Sequence, residues 1–143
     1  MSELEKVTNV PDELIYRQEC YEIIGAVFEV YKDKGCGFVV GVYQECLEIE
    51  LKTRGIPFIS HLLLILTYRG QQLKQVYIPD IICYDKIIIE LKSIAKLLPE
   101  HRAPIINYLK ATNFELSLLV NFGYHPQVEY ERIACTKGRF NYS

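Results

Sequence analysis

The chain holds 143 residues, half of them apolar and 24% charged, with a formal net charge of -2 and a pI near 5.9. That length fits one domain, 1–143, around one core, and the apolar fraction argues against intrinsic disorder. The near-balanced charge excludes the global basic footprint of a strong non-specific nucleic-acid binder and leaves room only for a local basic groove.

The first element is a helix over "PDELIYRQECYEIIGAVFEVYKDKG". Pro11 suits a first helical position, Asp12 and Glu13 suit the positive end of the dipole, and Leu14, Tyr21, Ile24, Phe28 and Tyr31 recur at helical spacing. Gly35 and Gly37 break it. A second helix runs from about Val39 to Arg54, with Tyr43, Leu47 and Leu51 on one face and Gly55 as the stop. From Ile56 the period changes, and "IPFI", "LLLILTYRG", "QVYIPDIICY" and "KIIIELKSI" read as four strands. Turns fall at Tyr68-Arg69-Gly70-Gln71 and Tyr84-Asp85-Lys86. A third helix lies within about Pro99 to Thr112. "FELSLLVNFG" reads as a buried strand, "VEYERIAC" as an edge strand, and the tail after about Thr136 as frayed. The order, α-α-β-β-β-β-α-β-β, implies a mixed sheet flanked by helices in one α/β domain.

The cysteines, Cys20, Cys36, Cys46, Cys83 and Cys135, are odd in number and form no CxxC. They read as reduced, structural thiols of a cytoplasmic protein rather than a zinc or disulfide framework. "MSELEKVTNV" carries no apolar signal-peptide core, and the run "LLLIL" is far too short to span a bilayer. No glycine-rich phosphate loop is present.

Charges sit inside the apolar stretch "IPDIICYDKIIIELKSI". If its two halves form an antiparallel hairpin centred on Asp85, Asp80 stands opposite Glu90, with Cβ atoms roughly 4.5–5.5 Å apart. Two carboxylates that close repel, so either one takes a proton or a divalent cation sits between them. Mg²⁺ and Mn²⁺ favour such oxygen ligands. Lys92, two residues beyond Glu90, shares its face. The patch suits phosphodiester hydrolysis, with metal polarising the phosphoryl oxygen and acidifying a water. The structural alternative is a set of strand-end charges with no chemistry. A one-residue slip would also part Asp80 from Glu90 and Lys92.

Pro79-Asp80 followed after nine residues by Glu90-Leu91-Lys92 resembles the signature of the PD-(D/E)xK nuclease superfamily. A closer resemblance is to the bacterial GxxExxY protein family, a branch of it, carried by "GCGFVVGVYQECLEIELKTRGIPF" and "YIPDIICYDKIIIELKSIAKLLPEHRAPIINYLKATNFELSLLVNFG". The resemblance implies a restriction-endonuclease-like core. It implies Asp80 and Glu90 as Mg²⁺ or Mn²⁺ ligands, the Leu91 backbone carbonyl as a third, and Lys92 as the catalytic lysine. Nucleic acid is the implied partner, a second copy of the chain a candidate one, and no membrane or small-molecule cofactor enters.

Two positions depart from the pattern. Gly37 and Tyr43 match the branch's name motif, but its glutamate is Val40, and one turn away only Gln44 offers a neutral oxygen. In the third helix Tyr108 fits a Gln-x-x-x-Tyr pattern, but the glutamine is Pro104, which suggests a helix starting there after a distorted 99–103. His101 stands where the branch often has histidine, near a phosphate or as a cap. Two functions therefore stay open, a metal-dependent nuclease and a non-catalytic binding module on the same fold. Lys74, Lys96, Arg102 and Lys110 are candidates for a basic rim. His61, His125 and Cys83 read as structural, and most of the eleven tyrosines as core or strand residues.

Overall fold

The computed structural model describes residues 15–136 and 139–142. Two helices, α1 (Arg17–Lys34) and α2 (Val40–Thr53), precede five strands: β1 (Phe58–Ser60), β2 (Leu64–Tyr68), β3 (Gln71–Tyr77), β4 (Ile81–Cys83) and β5 (Ile87–Lys92). Helix α3 (Pro99–Thr112) and strands β6 (Leu116–Asn121), β7 (Glu129–Thr136) and β8 (Arg139–Tyr142) follow. Six strands form one mixed sheet in the order β1-β4-β5-β6-β7-β8, while β2 and β3 pair apart as a hairpin. Among the described strands only β5 and β6 are parallel, and α3 is the crossover between them.

The sheet is covered on both faces. Ile87, Ile89 and Leu91 of β5 and Leu116, Leu118 and Val120 of β6 pack under α1 and α2 with Ile23, Val27, Tyr43 and Leu47. On the other face Ile88, Leu119 and Ile133 pack under α3 and the separate hairpin, with Ile105, Leu109 and Tyr77. Alternation along β5 therefore sends Glu90 and Lys92 to the α3 face. Among the described residues no helix is long and apolar enough to cross a membrane.

Several expectations change. Helix α1 buries Cys20, Ile23, Ile24, Ala26, Val27 and Val30, so its core stripe is rotated from the predicted one. Tyr21 is 76% exposed, and Phe28 is half exposed with its ring edge-on to Tyr130. Residues 11–14 of the predicted helix lie outside the described residues. The predicted strand over "QVYIPDIICY" is two strands, broken at Ile78-Pro79-Asp80, where proline has no N–H for a ladder. Helix α3 already starts at Pro99, with Pro104 inside it. Only the one backbone bond that an N–H at position 104 would make is lost. Strand β7 is not an edge, because β8 pairs along it where the tail was expected to fray.

Candidate active site

A turn sets the geometry. Tyr84 and Asp85 both adopt positive φ (56° and 60°), and the Lys86 N–H closes on the Cys83 carbonyl at 3.1 Å. The strands leave it with Cys83 opposite Ile87 and Ile81 opposite Ile89. One step further, Asp80 meets Glu90. The two are laced through the backbone: Leu91 N–H donates to Asp80 Oδ2 at 2.7 Å, and Asp80 N–H donates to Glu90 Oε1 at 3.4 Å. Asp80 thus ends the ladder with its side chain where β4 has run out of strand.

Tyr77, the last residue of β3, donates its hydroxyl proton to Glu90 Oε2. Its ring lies flat on Tyr108 of α3, centroids 3.9 Å apart. Burial pushes the Glu90 carboxyl up to about 7, with the Asp80 charge adding to the rise and the Tyr77 hydrogen bond opposing it. Burial, then the nearby Glu90 charge, raises the Tyr77 hydroxyl as well. Removed from water, the Glu90 carboxyl holds a proton more tightly than a free carboxylate does.

Lys92 lies on the same face as Glu90 by strand alternation, and among the described residues its ammonium has no hydrogen-bond or ion-pair partner. The chain beyond it is firmly held. Asn121, the parallel partner of Lys92, is fully buried. Its Oδ1 accepts from the N–H groups of Ile94 and Gly123, both at 3.0 Å, and its Nδ2 donates to Glu129 Oε1. Glu129 also accepts from Leu97 N–H at 3.0 Å. Ser93 Oγ donates to the Phe38 carbonyl at 2.6 Å, tying this turn to the loop before α2.

Tyr43 is buried in α2, stacked on Phe122, and donates its hydroxyl proton to the Gly35 carbonyl. It supports the Gly35–Phe38 loop, in which Gly37 takes φ 117°, a region open mainly to glycine. Val40 is the first residue of α2 and 41% exposed. Gln44, one turn on, is buried, but it presents a donor and not an oxygen ligand. Its Nε2 donates to the Asp80 carbonyl at 3.1 Å and to Glu48 Oε2 at 2.9 Å, and Glu48 also accepts from Ser60. Pro104 is exposed. His101 Nδ1 accepts from the Leu98 N–H at 2.9 Å, which makes it the cap of α3. Arg102 is held by Glu131 in a two-pronged ion pair, whereas Lys74, Lys96 and Lys110 are exposed.

The fold therefore links Asp80, Glu90, Leu91 and Gln44 by hydrogen bonds, joins Tyr108 to them through Tyr77, sets Lys92 on the face of Glu90, and holds His101 at the helix start. Reading the sequence misses Tyr77, Glu48 and Asn121. For Tyr77 a signal exists, since it ends a strand three residues before Asp80. For Asn121 none does, because its role depends on a crossover.

No group of three His, Cys, Asp or Glu poised around a metal ion occurs among the described residues. Asp80 and Glu90 nevertheless fit a hard divalent cation, which is commonly held by one or two carboxylates, with water and substrate phosphates as its other ligands. Asp80 Oδ1 accepts no hydrogen bond among the described residues, and each Glu90 oxygen accepts a single one.

A family model described as "PD-(D/E)XK nuclease superfamily" matches residues 17–133. No curated protein matches. The solved structure of SSO0001 is similar at 20% identity and a TM-score of 0.49, over 83% of this chain and 57% of that one. The chain thus spans somewhat over half the length of that protein.

Proposed function

The chain belongs to the PD-(D/E)XK nuclease superfamily, and from that premise we propose that it is a GxxExxY-type branch member that hydrolyses phosphodiester bonds of DNA or RNA. The observation that carries this reading is the meeting of Asp80 and Glu90 across the hairpin, with Lys92 on the same face. Asp80 and Glu90, with the Leu91 carbonyl, would hold Mg²⁺ or Mn²⁺, which when bound supplies Lewis-acid polarisation of a phosphoryl oxygen and a water of lowered pKa. Lys92 would orient or deprotonate the attacking water, or stabilise charge developing on the phosphoryl group. Tyr77 would hold Glu90 in place, and Gln44 would anchor Asp80 through its carbonyl. The exposed Lys74, Lys96 and Lys110 would contact the nucleic-acid backbone, with Tyr108 and His101 nearer the substrate. The five free cysteines suit a reducing bacterial cytoplasm.

A second reading keeps the fold and drops the chemistry. Val40 and Pro104 stand where the branch has a glutamate and a glutamine, which would thin the metal shell and the substrate contacts together. On that reading the domain binds nucleic acid or protein without cutting.

Calorimetric titration of Mn²⁺ into the wild type, Asp80→Ala and Asp80→Asn separates the two. Hydrolysis requires binding in the wild type that both variants lose. The asparagine keeps an acceptor for the Leu91 N–H, so its loss reports charge and not a broken hairpin. A wild type with no response to millimolar Mn²⁺, alone or with a short oligonucleotide, would favour the non-catalytic module.

A further inference from the structure

The opposite face of the sheet carries a cavity that the nuclease reading does not use. Strand alternation turns Tyr130 and Arg132 of β7 toward α1, and the register sets Leu118 of β6 directly across from Arg132. Helix α1 answers with Arg17, Cys20, Tyr21 and Ile24, spaced to share one helical face. Between them lies a cavity of about 440 Å³. Its floor is apolar and closed, with Leu118 1%, Cys20 8% and Ile24 9% exposed, while Tyr21 and Tyr130 stand at the exposed mouth.

Arg132 is poorly satisfied there. One of its five N–H donors goes to the Ile15 carbonyl at 2.6 Å, but Nε is buried without a partner. Among the described residues no carboxylate pairs with it, and none lines the cavity. Burial pulls the guanidinium below its ordinary range and pushes the adjacent Cys20 thiol up. A charged group drawn out of water is costly unless an anion meets it. The cavity's size falls within the range of small-ligand sites, roughly 300–1,000 Å³, and its mix of apolar walls with few polar groups is theirs too.

We infer that this cavity is a binding site for a small organic anion, a carboxylate or phosphate carried on an apolar, aromatic-sized body. The anionic head pairs with Arg132 at the buried end, Arg17 adds positive charge at the rim, and the body lies over Ile24 and Leu118 between the two tyrosine rings. The site is across the sheet from Asp80, Glu90 and Lys92, so it stands or falls independently of the nuclease reading.

The test is calorimetric titration of the whole chain, in EDTA, with phenyl phosphate, benzoate and inorganic phosphate as probes. At least one aromatic anion should bind with Kd under roughly 1 mM, inorganic phosphate at least tenfold more weakly. The tighter of the two aromatic probes identifies the head group. Arg132→Gln should weaken binding tenfold or more. Tyr130→Ala, at an exposed rim position whose loss the fold should tolerate, should weaken it severalfold, and thermal unfolding checks both variants. Failure of both aromatic anions to bind the wild type at roughly 10 mM would overturn the inference. So would an affinity untouched by Arg132→Gln and Tyr130→Ala, and equal affinity for inorganic phosphate would refute the apolar body.

Discussion

The Tyr77 hydroxyl donates to the Glu90 carboxylate while the Tyr77 ring lies flat on Tyr108, so one side chain links β3, β5 and α3 at the acidic pair. Glu90 is thereby held in a place where its charge is poorly solvated, and its proton affinity becomes a property of the fold.

A pH dependence of stability follows. Glu90 has its folded pKa raised from 4.5 to about 7. The folded state therefore holds more protons than the unfolded one between those values, and stability falls as pH rises through the window. In EDTA the unfolding free energy should drop by on the order of 3 kcal/mol from pH 4.5 to pH 8 through this group. Denaturant titrations across that range check it, and Glu90→Gln should flatten the slope. A slope that survives the substitution would place the titration elsewhere.

Gly123→Ala tests how tightly the turn after Lys92 is packed. An added Cβ would land on the backbone N and O of Ile94 and 2.7 Å from the Ser93 carbonyl carbon. None of these is a flexible side-chain tip. The substitution should cost about 2–3 kcal/mol in urea unfolding and move the amide resonances of Ser93 and Ile94.

Asn121→Leu removes the acceptor for two backbone N–H groups and the donor to Glu129. Leaving buried donors unmet should cost about 2–4 kcal/mol, measured by chemical unfolding. Asn121→Asp should be worse at neutral pH than at pH 4, because its carboxylate would face Glu129.

Tyr43→Phe keeps the ring on Phe122 but loses the bond to the Gly35 carbonyl. A loss of about 1–1.5 kcal/mol is expected. Hydrogen exchange should quicken in residues 35–38 before it quickens in α2.

Val40→Glu with Pro104→Gln introduces the two polar side chains that the proposed branch carries at these positions. Both native side chains are exposed, so the fold should accept the changes. If the Asp80–Glu90 pair binds metal, Mn²⁺ affinity should rise at least tenfold. An unchanged affinity would count against these positions reaching the cation.

The hairpin is legible in the sequence because a turn-forming trio separates two β-branched runs, and its centre determines every pair down to Asp80 and Glu90. The α2 stripe is legible because Tyr43, Leu47 and Leu51 are buried on one side only. The α1 stripe is misread because Tyr21 and Phe28 are large and apolar yet stand exposed, Tyr21 at the mouth of a cavity and Phe28 against the Tyr130 ring, and periodicity cannot tell such a wall from a core. The split of β3 from β4 is signalled by Pro79, but not that β2 and β3 leave the main sheet. Gln44 shows its side-chain chemistry in the sequence without showing which end of the amide faces Asp80. The burial of β7 depends on a strand after Thr136 whose polar sequence, "RFNY", gives no periodic signal.

The parallel pairing of Lys92 with Asn121 has a bearing on how the protein is made. The Asp80–Glu90 hairpin leaves the ribosome complete, yet the strand that flanks β5 and anchors the turn beyond Lys92 is synthesised only after all of α3. During that interval a hydrophobic edge of isoleucines waits for a distant partner, the kind of long-range closure that slows folding. The nascent chain carries all three charges, and the bonds that lace Asp80 to Glu90, before it has the Asn121 side chain that anchors the turn beyond Lys92. The full arrangement of the three charges therefore awaits β6 and is not a property of the segment that bears the motif alone.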